Sequence, residues 1–449
     1  MGKLAMFGGP RTIGPGDADR PRVGWPVVTD AERAAVVRVV DSGRFTSNSM
    51  GDGEVQLLER EWAAYVGTRH CVAVSNGTAA IALAAAALDL GPGDEVLVPA
   101  LTFIGSAIGL VQRLLVPVFV DIDPATYTMD AAAAGAAVTP RTRAILAVHL
   151  HGLPCDMTAL RAVADRHGLA LIEDAAQAQA ATFRGTRAGA LGDVACFSLN
   201  VTKNLPTCGE GGLITTDRTD VAERLVLHRQ FGEDLRPGAD RDYISRILAG
   251  NEKLSAIQAA FTRCQLARLD EYARARDTNV RALCDRLAAL PGVVVPACPP
   301  GYGHAWHILR LRFDPGAAGL SDVEPGPFRA ALHRALRAEG VPAMPYQLVP
   351  LPGQRAFQTR DGFGGGYPWR LPGVAPRDYR IEDYPVSLAV LEDSLTLQRW
   401  HLNPASGPVL GLVGDAFEKL WEHLDPIAGM ARGAPYAPPW QATLATAAR

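Results

Sequence analysis

The 449-residue chain has no long apolar run, no basic block, no paired cysteines and no glycine-rich nucleotide loop, and each absence removes a class of function. No stretch approaches the roughly 18 apolar residues of a membrane span. The opening Met1-Gly2-Lys3-Leu4-Ala5-Met6-Phe7-Gly8-Gly9-Pro10 lacks the apolar centre of a secretion signal. A cytoplasmic protein with no membrane partner is expected. The formal net charge is -3, and no arginine stripe is present, which argues against nucleic acid as a partner. Seven cysteines, at 71, 155, 196, 208, 264, 284 and 298, form no C-x-x-C pair, so neither a zinc site nor a disulfide framework is expected. His149 and His151 form an isolated H-x-H, and no metal is assigned. No G-x-G-x-x-G follows an early strand and no G-x-x-x-x-G-K-[ST] occurs, which weakens dinucleotide and nucleoside triphosphate readings.

What is present is a globular composition, 48% apolar and 20% charged, in a chain long enough for two or three domains. Short apolar runs at 71–74, 95–99, 117–122, 144–150, 170–173, 194–197 and 213–215 are separated mostly by helical stretches. Seven buried strands with crossover helices predict an α/β fold with a mainly parallel sheet. Residues 78–90 are alanine-rich, and 157–167 carry Leu160 and Val163 at helical spacing before Gly168. Long helices are expected from 251 to about 290, then strand-like segments at 293–295 and 308–313 and a helix over 327–339. This divides the chain into a large domain with an N-terminal arm, 1–270, and a smaller α+β domain, 271–449. The Pro/Gly-rich stretch 350–376 reads as a lid or a long surface loop, and the segment after Gly433 as a tail.

In such sheets ligands sit beyond the carboxyl ends of the strands. Lys203 lies five residues after Ser198, so one loop carries a hydroxyl and an amine. An amine shielded by apolar neighbours favours its neutral form, the species that forms Schiff bases. A solvated loop lysine is the plain alternative. Ser75-Asn76-Gly77-Thr78-Ala79 opens a helix where free backbone N–H groups bind phosphate, or where Ser75 or Thr78 merely caps. Phe103 follows the second strand and can stack on a flat ring or pack in the core. Glu173 and Asp174 end the fifth strand on opposite faces, so only one of them can face a cofactor there. An aspartate beside a pyridine nitrogen keeps it protonated, which makes pyridoxal phosphate an electron sink.

Together these features follow successive strand ends in the order a pyridoxal phosphate enzyme would use. The chain resembles the DegT/DnrJ/StrS family of sugar and cyclitol aminotransferases, of the aspartate aminotransferase fold type, from Pro26 to about Leu424. The resemblance rests on Asn76-Gly77-Thr78-Ala79, Gly91-Pro92-Gly93-Asp94-Glu95-Val96, Phe119-Val120-Asp121-Ile122-Asp123-Pro124, Glu173-Asp174-Ala175-Ala176-Gln177, the Ser198 to Lys203 spacing, Gly209-Glu210-Gly211-Gly212 and Leu254-Ser255-Ala256-Ile257-Gln258-Ala259-Ala260. It implies that Lys203 forms the Schiff base and Asp174 pairs with the pyridine nitrogen. Ser198, with Gly77, Thr78 and Ala79, would hold the phosphate; Phe103 would stack on the ring, and Gln177 would lie near its 3'-oxygen. Asn251 matches an asparagine that reaches the neighbouring subunit's cofactor, implying a homodimer, although Gly250-Asn251-Glu252-Lys253 departs from the usual Tyr-Asn-Tyr-Arg.

The implied reaction moves an amino group from glutamate or glutamine to a keto sugar, often nucleotide-linked, or a keto cyclitol. Trp25-Pro26-Val27 and Gly340-Val341-Pro342-Ala343-Met344-Pro345 lean toward the cyclitol branch. His304, Trp306, Tyr346 and His401 are the candidates for substrate contact, with packing between domains as their alternative. Two other readings compete: a family member performing dehydration or deoxygenation, and a non-catalytic regulatory protein on the same fold.

Overall fold

The computed structural model describes residues 3–46, 53–234 and 241–441. Its centre is a seven-stranded sheet made of β1 (His70–Val74), β2 (Glu95–Pro99), β3 (Val116–Val120), β4 (Thr142–Val148), β5 (Ala170–Asp174), β6 (Val194–Ser198) and β7 (Gly212–Thr216). The spatial order is β1-β7-β6-β5-β4-β2-β3. Only β7 runs antiparallel to its neighbours, so the expected mainly parallel sheet is present.

The inner strands are covered on both faces, which is why β2 and β6 are buried at every residue. The helix Gly77–Ala87 shows the same logic. It is alanine-rich and apolar on most faces because it lies between the sheet and outer helices, and nine of its residues are buried. Asn76 caps it by accepting the Ala79 N–H at 2.8 Å, a task that the sequence left to Ser75 or Thr78. The predicted helix at 157–167 is Met157–His167, capped by Asp156 and ended by Gly168 in the left-handed region at φ 65°.

Two helices lead out of the sheet, Ala256–Leu266 and Leu269–Ala288. The first opens with a capping box, in which Ser255 and Gln258 each satisfy the other's backbone N–H. The second body has a small antiparallel sheet, with Leu309–Phe313 between Val293–Val294 and Ser394–Leu397. It packs against helices Leu269–Ala288, Pro325–Glu339 and Gly407–Trp421.

Leu4 and Ile13, near the N-terminus, share this second core with Phe328, Phe417 and Leu420. They are fastened there by buried Glu339, which accepts the Ala5 N–H at 2.8 Å, the Thr12 N–H at 3.1 Å and the Lys419 ammonium at 2.8 Å.

The two loop readings fare differently. The stretch 350–376 is a surface loop, one of its two expected readings, and most of its residues from 361 on are exposed, Phe363 by 63%. Phe357 packs on Phe119 of β3, Trp369 packs on Phe357, and Tyr379, just past the stretch, packs on Phe119 and donates its hydroxyl to the Pro117 carbonyl at 2.8 Å. Aromatic area buried on the sheet edge anchors the loop. Beyond Gly433 the chain is not a free tail as far as 441, since Tyr436 lies on Gly326 and Trp440 joins the Leu101, Ile122 and Val390 cluster. The rest of that segment lies outside the described residues.

Among the described residues no helix is long and apolar enough to cross a membrane. Among the same residues no group of three His, Cys, Asp or Glu is placed to hold a metal ion.

Candidate active site

A cavity of about 460 Å³ opens at the carboxyl ends of the parallel strands, where the second body closes over the sheet. Gly77 and Thr78 border it after β1, Thr102 and Phe103 after β2, Asp174 and Gln177 at and after β5, and Ser198 and Lys203 at and after β6. His307, Tyr346 and Arg399 supply the opposite wall.

The phosphate-sized corner is built by contact. The amides of Gly77 and Thr78 head the helix and find no acceptor among the described residues, so the positive end of the helix dipole is available. Ser198 ends β6 beside them. A Cβ on Gly77 would lie 2.8 Å from Ser198 Cβ, so only glycine lets helix and strand approach this closely.

The two carboxylates of β5 separate by face. Asp174 is buried; its Oδ2 accepts the Ser106 hydroxyl at 2.6 Å, and its Oδ1 accepts the Ala176 N–H at 3.1 Å. Thr102 holds Ser106 in turn at 3.1 Å. Glu173 points the other way and is fully occupied by His149 and by the N–H groups of Gly189, Leu191 and Gly192, each within 2.9 Å. The Cys155 N–H donates to His149 Nδ1 at 3.1 Å, so Nε2 carries the proton that Glu173 accepts. Glu173 is therefore structural.

Lys203 sits in a loop shaped by Asn200, whose Oδ1 accepts both the N–H of Thr202, at 2.9 Å, and its hydroxyl, at 2.7 Å. The amine reaches into the cavity, and desolvation pulls its pKa down to about 8, against the attraction of Asp174 and Glu210. A pKa near 8 leaves roughly one amine in ten neutral at pH 7, against fewer than one in a thousand for an ordinary lysine. Its carbonyl accepts the Trp25 indole N–H at 2.9 Å, so the N-terminal segment holds the loop from outside.

Some expected residues stand elsewhere. The Ala79 amide is taken by Asn76 and does not border the cavity. Asn251 is exposed, bonded to Lys253, and does not border the chain's own cavity. His304 stacks on Trp306 at 3.8 Å, the Trp306 indole donates to Asp277 at 2.7 Å, and His401 Nε2 donates to the Trp306 carbonyl at 2.9 Å. These three pack between the bodies, and of the four candidates for substrate contact only Tyr346 borders the cavity.

Sequence reasoning passed over Ser106, His307 and Arg399, and it took Trp25 only as part of a segment leaning toward the cyclitol branch. Ser106 had a signal, a hydroxyl within the apolar helix Gly105–Val111. His307 had none, because Trp306 takes φ 51° and reverses which neighbouring side chain faces the sheet.

The model of the DegT/DnrJ/EryC1/StrS aminotransferase family matches residues 26–366. The chain belongs to this family and is an aminotransferase. It is 41% identical over 279 residues to dTDP-3-amino-3,4,6-trideoxy-alpha-D-glucose transaminase of Streptomyces venezuelae, spanning 62% of this chain and 71% of the relative. It is 40% identical over 332 residues to L-glutamine:scyllo-inosose aminotransferase of Streptomyces griseus, spanning 72% and 76%. The crystal structure of 3-amino-5-hydroxybenzoic acid synthase superposes with a TM-score of 0.75 at 33% identity, covering 89% of this chain and 99% of that one. With relatives of this kind, neither the dehydrating nor the non-catalytic reading is favoured.

Proposed function

We propose that this aminotransferase uses pyridoxal 5'-phosphate to move the amino group of glutamate or glutamine onto a polyhydroxylated ketone, a keto sugar or a keto cyclitol. The observation that carries the reading is the convergence of Lys203, Asp174 and an open helix N-terminus on one cavity.

The residues fit the group. Gly77 and Thr78 N–H and the Ser198 hydroxyl match a phosphate, Asp174 matches a ring N–H⁺, and Lys203 matches an aldehyde. The Phe103 ring, 57% exposed, is free to cover an aromatic face. When bound, the cofactor supplies a ring that withdraws electrons from the donor's alpha carbon.

The protein's own part is positional and acid–base. Ser106 aims the Asp174 carboxylate, which keeps the ring nitrogen protonated. Lys203, as a free amine, would take the proton from the donor's alpha carbon and deliver it to the carbon on the far side of the intervening nitrogen, two bonds away. The second half runs in reverse on the ketone. The cavity opens among Thr102, Thr202, Gln177, Gln398 and Tyr346, side chains suited to hydroxyl groups.

We also propose a homodimer. Val201, Phe231, Ile244 and Leu248 are exposed apolar residues near Lys203 and Asn251 in the chain, and Leu248 is 96% exposed. Asn251 would then serve the neighbouring subunit. Mixing inactive Lys203→Ala and Asn251→Ala subunits should restore part of the activity through hybrid dimers, and no recovery would refute shared sites.

The reaction is tested by incubating the cofactor-loaded enzyme with glutamate or glutamine. One equivalent of keto acid per site is expected, followed by return of the starting spectrum on adding ketone. Absence of keto acid with every donor would overturn transamination, and an unchanged visible spectrum in Lys203→Ala would overturn the role of the lysine.

A further inference from the structure

His307 is a buried residue on the cavity wall whose hydrogen bonds define its tautomer. Asn204, next to Lys203 in the chain, donates its Nδ2 to the Ala305 carbonyl at 2.7 Å. Its Oδ1 therefore turns to His307 Nδ1, at 3.1 Å. An amide oxygen only accepts, so Nδ1 carries the hydrogen. Burial and the charge of Lys203, with smaller contributions from His401, His151 and Arg276, hold the imidazole pKa well below its ordinary value. A neutral ring with its hydrogen on Nδ1 presents a bare lone pair at Nε2, which has no partner among the described residues.

Among the described residues no donor is hydrogen-bonded to that lone pair. The Arg276 guanidinium is committed to the carbonyls of Ala305 and Leu402, and the His307 backbone N–H goes to the His151 carbonyl. An acceptor of this kind rejects phosphate and carboxylate oxygens and takes a donor. A hydroxyl is the donor that a sugar or cyclitol offers.

His307 and Lys203 border the same cavity, and of the charges acting on the imidazole that of Lys203 is the strongest, so a hydroxyl that reaches Nε2 lies close to the carbon that Lys203 serves. We infer that His307 Nε2 accepts a hydrogen bond from the hydroxyl on the carbon adjacent to the carbonyl of the ketone acceptor. His307 is thus a specificity-determining residue that selects alpha-hydroxy ketones. The inference rests on the transamination proposed above and names the feature of the acceptor that the site reads.

The test uses the cofactor-loaded enzyme, the donor half-reaction as an internal control, and two ketones, scyllo-inosose and its 2,6-dideoxy analogue, which lacks both hydroxyls beside the carbonyl. In the parent enzyme, scyllo-inosose should be favoured in kcat/KM by roughly ten-fold, the worth of one hydrogen bond at a desolvated site. His307→Phe should lose that ten-fold on scyllo-inosose and little on the deoxy ketone, each rate taken relative to the variant's own keto acid formation from the donor. His307→Gln, whose side-chain oxygen can take the place of Nε2, should recover part of the preference.

Asn204→Asp supplies an independent readout. It keeps an acceptor on Nδ1–H but makes it a carboxylate, which raises the imidazole pKa against the opposing Lys203, His151, His401 and Arg276. As pH falls, the ring then gains a second hydrogen and loses its lone pair. The variant should show a drop in scyllo-inosose turnover on the acid side that the parent lacks.

Equal losses on both ketones in His307→Phe would overturn the inference. So would turnover of neither ketone by an enzyme that completes the donor half-reaction. Failure of the donor half-reaction in the parent enzyme would instead strike the transamination reading.

Discussion

Replacing Gly77 by alanine sets two effects of opposite sign against each other. Alanine is favoured over glycine in a helix by about 1 kcal/mol, so on propensity alone the variant should be the more stable protein. The added Cβ, however, would stand 2.8 Å from Ser198 Cβ and 3.2 Å from Ser198 Cα. Neither atom is the far end of a flexible side chain, and overpacking of this kind costs about 1–3 kcal/mol. The overlap should win, leaving a small net loss of stability. Relief comes by moving the helix end away from β6, which separates the Gly77 and Thr78 amides from the Ser198 hydroxyl with which they would share a phosphate. Losing one charge-assisted hydrogen bond to a phosphate is worth about 1.5–3 kcal/mol, or roughly 10- to 150-fold in cofactor affinity. Titrating the apoenzyme with pyridoxal phosphate, read by visible absorbance, measures this directly. Gly411→Ala is the control, in a helix where an added Cβ meets nothing within 4 Å, and it should stabilise by about 0.5–1 kcal/mol without touching affinity. Unchanged affinity in Gly77→Ala would refute the cradle, even if stability fell as expected.

Three further outcomes follow from the same geometry. The Lys203 amine has a pKa near 8 in the folded chain against 10.5 for an ordinary lysine, so the unfolded chain holds the proton to higher pH. Apoenzyme of Lys203→Met should be more stable than the parent at pH 7, with the gap closing as pH rises from about 8 to 10.5; a constant gap in urea unfolding across that window would refute desolvation of the amine. Glu173→Ala strips a partner from His149 and three amides and should cost about 3–5 kcal/mol in thermal unfolding, and a loss under 1 kcal/mol would show that the carboxylate is dispensable. Ser106→Ala leaves Asp174 Oδ2 without its hydroxyl donor and should lower kcat by roughly ten-fold with the cofactor still bound, whereas an unchanged kcat would show that Asp174 needs no such orientation.

The sheet was legible because its strands are buried on both faces and therefore read as continuous apolar runs. Predicted and observed limits differ by one or two residues, as in 71–74 against His70–Val74 and 144–150 against Thr142–Val148. The half of the site built on strand ends was legible for the same reason, since a residue just past an apolar run must lie at the sheet's edge. Lys203, Asp174, Ser198 and Phe103 all border the cavity. The other half comes from loops whose backbone reversals leave no trace in composition. Trp306 at φ 51° sends its indole toward Asp277 and leaves His307 on the cavity wall, so an expectation based on residue type chose the wrong neighbour. The 350–376 stretch was legible as a surface loop from its glycines and prolines, whereas its anchoring was not: Phe357, with Tyr379 just beyond the stretch, buries apolar area against the sheet.

The layer between the two bodies explains why the second half is harder to read and why it is built from polar residues. Arg276 is fully buried, and in place of a carboxylate it has the carbonyls of Ala305, at 3.1 Å, and Leu402, at 3.4 Å. Burial lowers its pKa to about 10, so the charge is retained at a cost that an apolar side chain of equal volume would avoid. What the charge secures is position. The Ala305 carbonyl that Arg276 fixes also receives Asn204, Asn204 orients His307, and the Trp25 ring beside the guanidinium holds the Lys203 carbonyl. One buried cation thus links the N-terminal segment, the lysine loop and the second body through contacts that depend on direction. Hydrophobic burial is non-directional and could join the same elements without defining where the amine stands. A cavity that must hold an amine, a carboxylate and a substrate hydroxyl in register requires the directional kind, which is why the least core-like residues of the chain lie at its centre.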